Sequence, residues 1–246
     1  MADPKTSRTT AIAAAAVVLL IIVGLVLAQA LGGDDDTEAA PASDAGAPAT
    51  AELPPPGECN EPPALPESPK QYDAPPDASE AEGATWTAHV ATNCGEIVME
   101  LFGDKAPQTV ASFNFLAEDG YWDNSPCHRL VTSGIFVLQC GDPTGTGSGD
   151  PGYGYGVENA PKDYVYPRGS LAMARTSDPN TNGGQFFIVF KKTELPDANG
   201  YSIFGRVTEG MDIVDRIAEQ GIGGTLGPEA PKQPISILDV TVEKAS

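Results

Sequence analysis

The sequence predicts a mainly β domain: a closed eight-stranded antiparallel barrel capped by two α-helices, behind a transmembrane helix and a disordered linker. Three observations carry this. After residue 84, eight short segments of strand character are separated by loops rich in Gly, Pro, Asn and Asp. Only two segments there show helical spacing. Almost all the aromatic residues fall in the same region, which is where a core can form. A closed barrel filled by side chains fits that element list.

Taken in order, residues 1–10 read as a cytoplasmic tail. From Ala11 to Leu31 the only polar residue is Gln29 and none is charged, and roughly 20 apolar residues span a bilayer as a helix. Lys5 and Arg8 before the run and Asp34-Asp35-Asp36 after it put the N-terminus in the cytoplasm and the rest outside. Ala28-Gln29-Ala30 also resembles a cleavage site, so the rival reading is a signal peptide that releases a secreted protein. Residues 32–83 are rich in Ala, Pro, Asp and Glu, with Lys70 the sole base and Tyr72 the sole aromatic. Such a composition predicts a disordered linker.

The domain, 84–246, opens with "TWTAHVATN" and "EIVMELF", a hairpin in which Trp86, Ala88 and Val90 share a face. "DKAPQTVASFNFLAEDGYW" is a helix with Pro107 in its first turn, Gly120 at its end, and Val110, Phe113 and Leu116–Ala117 on the buried stripe. The strands "HRLV", "IFVLQ", "SLAMA", "QFFIVF" and "SIFGRV" follow. "EGMDIVDRIAEQG" is a second helix with Met211, Val214 and Ile217 inward. "SILDVTVE" closes the domain with Leu238, Val240 and Val242 inward. In "QFFIVF", alternation sends Phe186 and Phe187 to opposite faces.

Several function classes are excluded. A formal charge of −20 and the lack of any basic block argue against a nucleic-acid partner. There is no G-x-S-x-G, and neither His89 nor His128 stands in a hydrolase arrangement. Cys127, His128 and Cys140 lack the spacing of a zinc site, so no metal or other cofactor is expected. Cys127 and Cys140 flank two consecutive strands, and a hairpin sets them at bridging distance. Cys59 and Cys94 form the remaining pair. Arg129 is an unusual charge inside a strand-like segment. It reads either as an ordinary exposed arginine or as a guanidinium fixed beside an apolar pocket.

Three segments, in order, resemble the cyclophilins: "HRL" with "FVLQCGDPTGTGSG", then "GSLAMARTSDPNTNGGQFFIVF", then "FGRVTEGMDIVDRI". The resemblance covers about Trp86 to Glu243. It implies an eight-stranded barrel with two helices and peptidyl-prolyl cis-trans isomerase activity on proline-containing segments of unfolded or partly folded proteins. It implies Arg129 as the catalytic arginine. It places Phe136, Met173 and Phe187 around the proline pocket, and Gln139, Ala174, Arg175 and Gln185 along the groove for the substrate backbone. Leu195 and Tyr201 match two further pocket-wall positions. The chain departs from the family pattern in several places. It is about two residues longer between Arg129 and Gln139. Arg175 stands where many members carry asparagine. Leu195, or Pro196 if the gap falls differently, replaces a frequent tryptophan, and Tyr201 a frequent histidine. These last two changes imply weakened cyclosporin binding. The alternative reading is a proline-peptide-binding or chaperone module of the same fold with little turnover. Tyr153, Tyr155, Tyr164 and Tyr166 suggest either an aromatic binding surface or the packing of a long loop.

Overall fold

The computed structural model describes residues 53–245. The expected cytoplasmic tail and membrane helix lie outside them, and no helix among the described residues is long and apolar enough to cross a membrane. After a short 3-10 turn (Ala78–Glu80), the elements run β1 (Thr85–Thr92), β2 (Gly95–Phe102), α1 (Pro107–Glu118), β3 (Ser125–Pro126), β4 (Arg129–Val131), β5 (Val137–Cys140), β6 (Val165–Tyr166), β7 (Ser170–Met173), β8 (Phe186–Val189), β9 (Thr193–Glu194), β10 (Ile203–Glu209), α2 (Met211–Gln220), β11 (Ile222–Gly224), β12 (Gly227–Pro231) and β13 (Ser236–Lys244). Nine strands form one curled antiparallel sheet in the order β3-β13-β1-β2-β10-β7-β8-β5-β4. All eight expected strands and both helices are present.

The closed eight-stranded barrel is corrected to this nine-stranded sheet. The added strand, β3, pairs only Ser125 and Pro126 with β13. Pro126 has no N–H to donate, which suits it to a sheet edge. The two edge strands, β3 and β4, are separated only by Cys127 and His128, so the covalent chain rather than a ladder joins them.

Alternation places Ala88, Val90, Ile97, Met99 and Leu101 in the main core, while Trp86 is only partly buried. β13 breaks the pattern. Ala91 pairs with Asp239 but Thr92 pairs with Ile237, so Leu238 is the extra residue of a β-bulge. The bulge turns Ile237 into the core and leaves Leu238 partly exposed, correcting the expectation that Leu238 faces inward. In α2, Ile213, Val214 and Ile217 are buried and Met211 partly so.

Helix α1 buries the expected stripe and also Thr109, Ala111, Ser112 and Asn114. Thr109 and Ser112 are covered by Glu158 and Tyr153, and residues 53–83 add cover at Gln108, Phe115 and Asp119, which corrects the expectation of a disordered linker over that stretch. This segment is a strap with little regular structure, lying on the domain. Cys59 is disulfide-bonded to Cys94, and Asn60 exchanges bonds with Asn93: its N–H donates to the Asn93 carbonyl (2.7 Å) and its own carbonyl accepts from Asn93 Nδ2 (2.8 Å). Tyr72 stacks edge-on against Phe115 with centroids 4.8 Å apart and donates from its hydroxyl to Asp119 (2.7 Å). Gln108 Nε2 donates to the Pro76 carbonyl (2.9 Å). A disulfide and an aromatic anchor offset an ordering entropy that composition alone cannot.

The N-terminus of α1 has no side-chain cap of its own. Instead the Glu158 carboxylate accepts from the N–H groups of Gln108 (3.1 Å) and Thr109 (2.8 Å) and from the Thr109 hydroxyl (2.8 Å). This satisfies two orphan donors and sets a negative charge at the positive end of the helix.

Candidate functional site

The sheet has two apolar faces. In β8, Phe186 and Ile188 belong to the main core, while Phe187 and Val189 join a second cluster with Val137, Tyr166 and Ala172. β7 and β8 are buried along their whole length, which explains why they read as continuous apolar runs. The register builds one row across the second face: Arg129 opposite Gln139, Gln139 opposite Phe187, Phe187 opposite Ala172, and Ala172 opposite Ile203. Directly opposed residues share a face and interact, so a guanidinium, an amide and an aromatic ring sit side by side.

Leu130 and Leu138, also opposed, point into the main core and hold the β4–β5 pair down. The Cys127–Cys140 disulfide staples its end. After Cys140 the chain passes against Gly184: Gly141 has φ +92°, and a Cβ there would lie 2.2 Å from the Gly184 carbonyl oxygen, so only glycine fits.

A cavity of about 130 Å³ opens on the second cluster, lined by Arg129, Ile135, Val137, Gln139, Ala174, Arg175, Phe187, Leu195 and Tyr201. Its wall is braced from behind. The buried Tyr166 hydroxyl accepts from the Tyr201 N–H (2.8 Å) and donates to the Tyr201 carbonyl (3.2 Å). The Phe187 and Tyr201 rings meet edge-on at 5.8 Å. A neighbouring cavity of about 450 Å³ shares Gln139, Ala174 and Arg175 as walls and continues over Gly147, Gly149, Asp150, Tyr153 and Gln185.

A polar line crosses between the two cavities. Arg129 Nη1 donates to Gln139 Oε1 (3.3 Å), Gln139 Nε2 to Gln185 Oε1 (2.8 Å), and Gln185 Nε2 to the carbonyls of Gly147 (3.1 Å) and Gly149 (2.8 Å). The loop bearing those carbonyls is organised by buried Asp142, which accepts from the Thr144 hydroxyl (2.6 Å) and from the N–H groups of Thr144 (2.8 Å), Gly147 (2.6 Å) and Gly149 (3.1 Å). Burial alone would raise the Asp142 pKa, but these bonds outweigh it and hold the carboxyl below the usual range. His128 lies under the same loop. Both its ring nitrogens are buried without a hydrogen-bonding partner, and burial pushes its pKa down.

Arg175 resolves its departure from asparagine structurally. Its side chain is 1% exposed and turns away to bind the loop at 197–200. Nε and Nη2 donate to the Gly200 carbonyl (3.0 and 2.7 Å), Nη1 donates to the Thr176 carbonyl (2.8 Å), and Asp197 pairs with it. The guanidinium lies 4.5 Å from the Tyr201 ring centre. The bulk of Arg175 therefore supports the wall instead of filling the groove.

The structure thus brings Arg129, Gln139, Ala174, Arg175, Phe187, Leu195 and Tyr201 to one cavity and Gln185 to its neighbour. Two expected pocket residues lie elsewhere. Met173 is in the main core, opposite Phe186. The Phe136 ring meets Phe190 at 5.9 Å and carries Lys191 Nζ 4.5 Å above it, and it does not line the cavity. Parity is the reason: Gln139 faces the groove, so Val137 and Ile135 share its side while Phe136 does not. Ile135 and Val137 are the wall residues the sequence reading missed, and counting back in twos from Gln139 finds both. Tyr153, Tyr155 and Tyr166 are buried and only Tyr164 is exposed, so these tyrosines pack the loop. No cluster of three or more His, Cys, Asp or Glu able to hold a metal exists among the described residues.

The family model described as "Cyclophilin type peptidyl-prolyl cis-trans isomerase/CLD" matches residues 87–242. The chain is 42% identical over 197 residues to a "Probable peptidyl-prolyl cis-trans isomerase B" of Mycobacterium leprae, covering 73% of this chain and 65% of that protein. A protein of the same description from Mycobacterium tuberculosis is 40% identical over 167 residues, covering 63% and 53%. The chain thus spans less than two thirds of either relative. Among solved structures, a Cryptosporidium parvum cyclophilin type peptidyl-prolyl cis-trans isomerase superposes with a TM-score of 0.56 at 32% identity, covering 66% of this chain and 99% of the other. The same Cryptosporidium protein solved in the presence of the dipeptide Ala-Pro gives 0.55 at 33% identity, covering 65% and 99%.

Proposed function

The chain belongs to the cyclophilin-type peptidyl-prolyl cis-trans isomerase family, and from that premise we propose that it catalyses rotation about X-Pro peptide bonds in unfolded or partly folded proteins. The supporting observation is the cavity in which the Arg129 guanidinium, backed by Gln139, borders an apolar cup of Ile135, Val137, Phe187, Leu195 and Tyr201. A relative in this fold was solved in the presence of Ala-Pro, a ligand of the proposed chemistry.

The reaction demands little machinery. Amide resonance sets a rotation barrier of roughly 18–20 kcal/mol, and uncatalysed X-Pro exchange takes tens of seconds or more. No bond to the enzyme is needed. The proline nitrogen must lose conjugation and become pyramidal, and a donor aimed at its lone pair favours that twisted state. Arginine supplies the donor and does not titrate near neutral pH. The apolar cup holds the ring while the acyl side turns. Gln139 and Gln185 offer amides to the substrate backbone, and the backbone of Ala174 and Arg175 runs beside them. Such contacts accelerate the reaction only if they are stronger at the twisted geometry than in either planar isomer.

The test is the exchange rate of an X-Pro peptide, by protease-coupled assay or NMR, for the native chain and Arg129→Ala. Loss of one preorganised donor lowers kcat by roughly 100-fold. Equal rates for the two proteins would remove Arg129 from the mechanism. Peptide binding with no acceleration by either would favour a binding module.

The N-terminal run Ala11–Leu31 and the pairing of all four cysteines support an extracytoplasmic domain held at the cell membrane, or secreted if the run is cleaved. Protease added outside intact cells would digest such a domain; full protection would refute it. Leu195 and Tyr201, standing where the family resemblance implies a frequent tryptophan and a frequent histidine, weaken cyclosporin binding in this reading. Nanomolar inhibition would contradict it.

A further inference from the structure

Gln139 is not the sole partner of Arg129. Its Nε donates to Glu229 Oε2 at 2.9 Å, an ion pair linking residues 100 positions apart in sequence. Glu229 sits in β12 of the β11–β12 hairpin, which packs beside β4. Ala230 and Pro231, which follow it, are buried and share a surface with Cys127, so the hairpin is seated at the stapled end of β4. Glu229 does not line the cavity.

We propose that Glu229 is a positioning residue for the isomerase reaction. Arginine has a long, rotamer-rich side chain, and Arg129 is 37% exposed, so nothing in its own burial orients it. Two partners on different elements do so. Glu229 holds the Nε edge from the hairpin, and Gln139 holds Nη1 from β5. Among the described residues Nη2 makes no hydrogen bond, and it is left to address the substrate. The planar guanidinium, fixed at two corners, is thereby aimed before substrate arrives, so its reorientation is not added to the barrier. An exposed ion pair contributes little to folding stability, so the effect belongs to catalysis.

This inference rests on the isomerase reading, and its test separates the two. In the full oxidised chain, Glu229→Ala lowers kcat about 5- to 20-fold, a misaiming effect, with KM within about twofold and an unchanged Tm. Glu229→Gln keeps an acceptor oxygen for the Nε–H and recovers most of the loss. In an Arg129→Lys background, which has no Nε, Glu229→Ala has no further effect. The Arg129 Nε–H resonance in a nitrogen-correlated NMR spectrum shifts or broadens in Glu229→Ala and is restored in Glu229→Gln. Unchanged or increased kcat in Glu229→Ala, beside an impaired Arg129→Ala, would overturn the proposal. So would a Gln variant as impaired as the Ala variant. A fully active Arg129→Ala removes Arg129 from the mechanism and overturns the proposal with it. An inactive native chain breaks the isomerase reading instead, and the Nε–H resonance still reports whether the pair orients Arg129.

Discussion

Phe186 and Phe187 are adjacent, both buried, and chemically identical, yet they belong to different parts of the molecule. Phe186 meets Phe113, Trp122 and Phe204 with ring centroids 5.8–6.4 Å away, inside a core closed by helix α1. Phe187 meets Tyr166 and Tyr201 in a smaller cluster with one open side, and a guanidinium stands at that opening. Burial alone does not distinguish them. What differs is whether the last neighbour is protein or a space for a ligand. The first face holds the domain together. The second is a core left unfinished at one point, where the proposed function seats a proline ring.

The largest expected effect on this comparison comes from Phe186→Ala. Its cost is about 3–5 kcal/mol of stability, read by denaturant unfolding. The protein that stays folded keeps kcat/KM within a few-fold. Phe187→Ala reverses the balance. The site already adjoins a cavity, so the stability loss is smaller, about 2 kcal/mol, while kcat/KM falls about 10- to 100-fold. Equal activity losses in the two variants would erase the distinction between the faces. The smallest effect concerns acid. His128 is buried with its pKa pushed below the usual 6.5, so the unfolded chain takes up its proton first as pH falls. Stability is therefore full above about pH 6.5 and declines below it. Asp142, also depressed, extends the decline toward lower pH. His128→Gln should flatten the Tm-against-pH curve below about pH 6.5 and leave the neutral-pH Tm nearly unchanged. A curve identical to that of the native chain would exclude His128 as its source.

Alternation and helical spacing made the eight strands and both helices legible, because each repeats a period several times. β3, β6 and β9 have two residues each, too few to show a period. β11 and β12 carry Gly223, Gly224 and Gly227, which contribute no pattern. The bulge at Leu238 is a property of two strands together and is invisible in one. The Cys59–Cys94 tie of the strap was expected, but its order further along was missed because it depends on Tyr72 meeting Phe115. At the site, the Phe186–Phe187 split followed from parity. The same parity applied to β5 excludes Phe136 and selects Val137, but the resemblance to the family pointed to Phe136. Glu229 left no local signal, since its partner is remote in sequence and adjacent only after the hairpin has packed.

The strap also bears on where this folded unit starts. The family match begins at residue 87, beyond every residue of the strap. A polypeptide begun there would leave Cys94 as a free thiol on the first hairpin, ready to form mixed disulfides with other copies in an oxidising compartment. It would also uncover Phe115, Tyr121 and Tyr153, which Tyr72 now shields. The family-matched stretch and the unit closed by its own disulfides are therefore different lengths of chain.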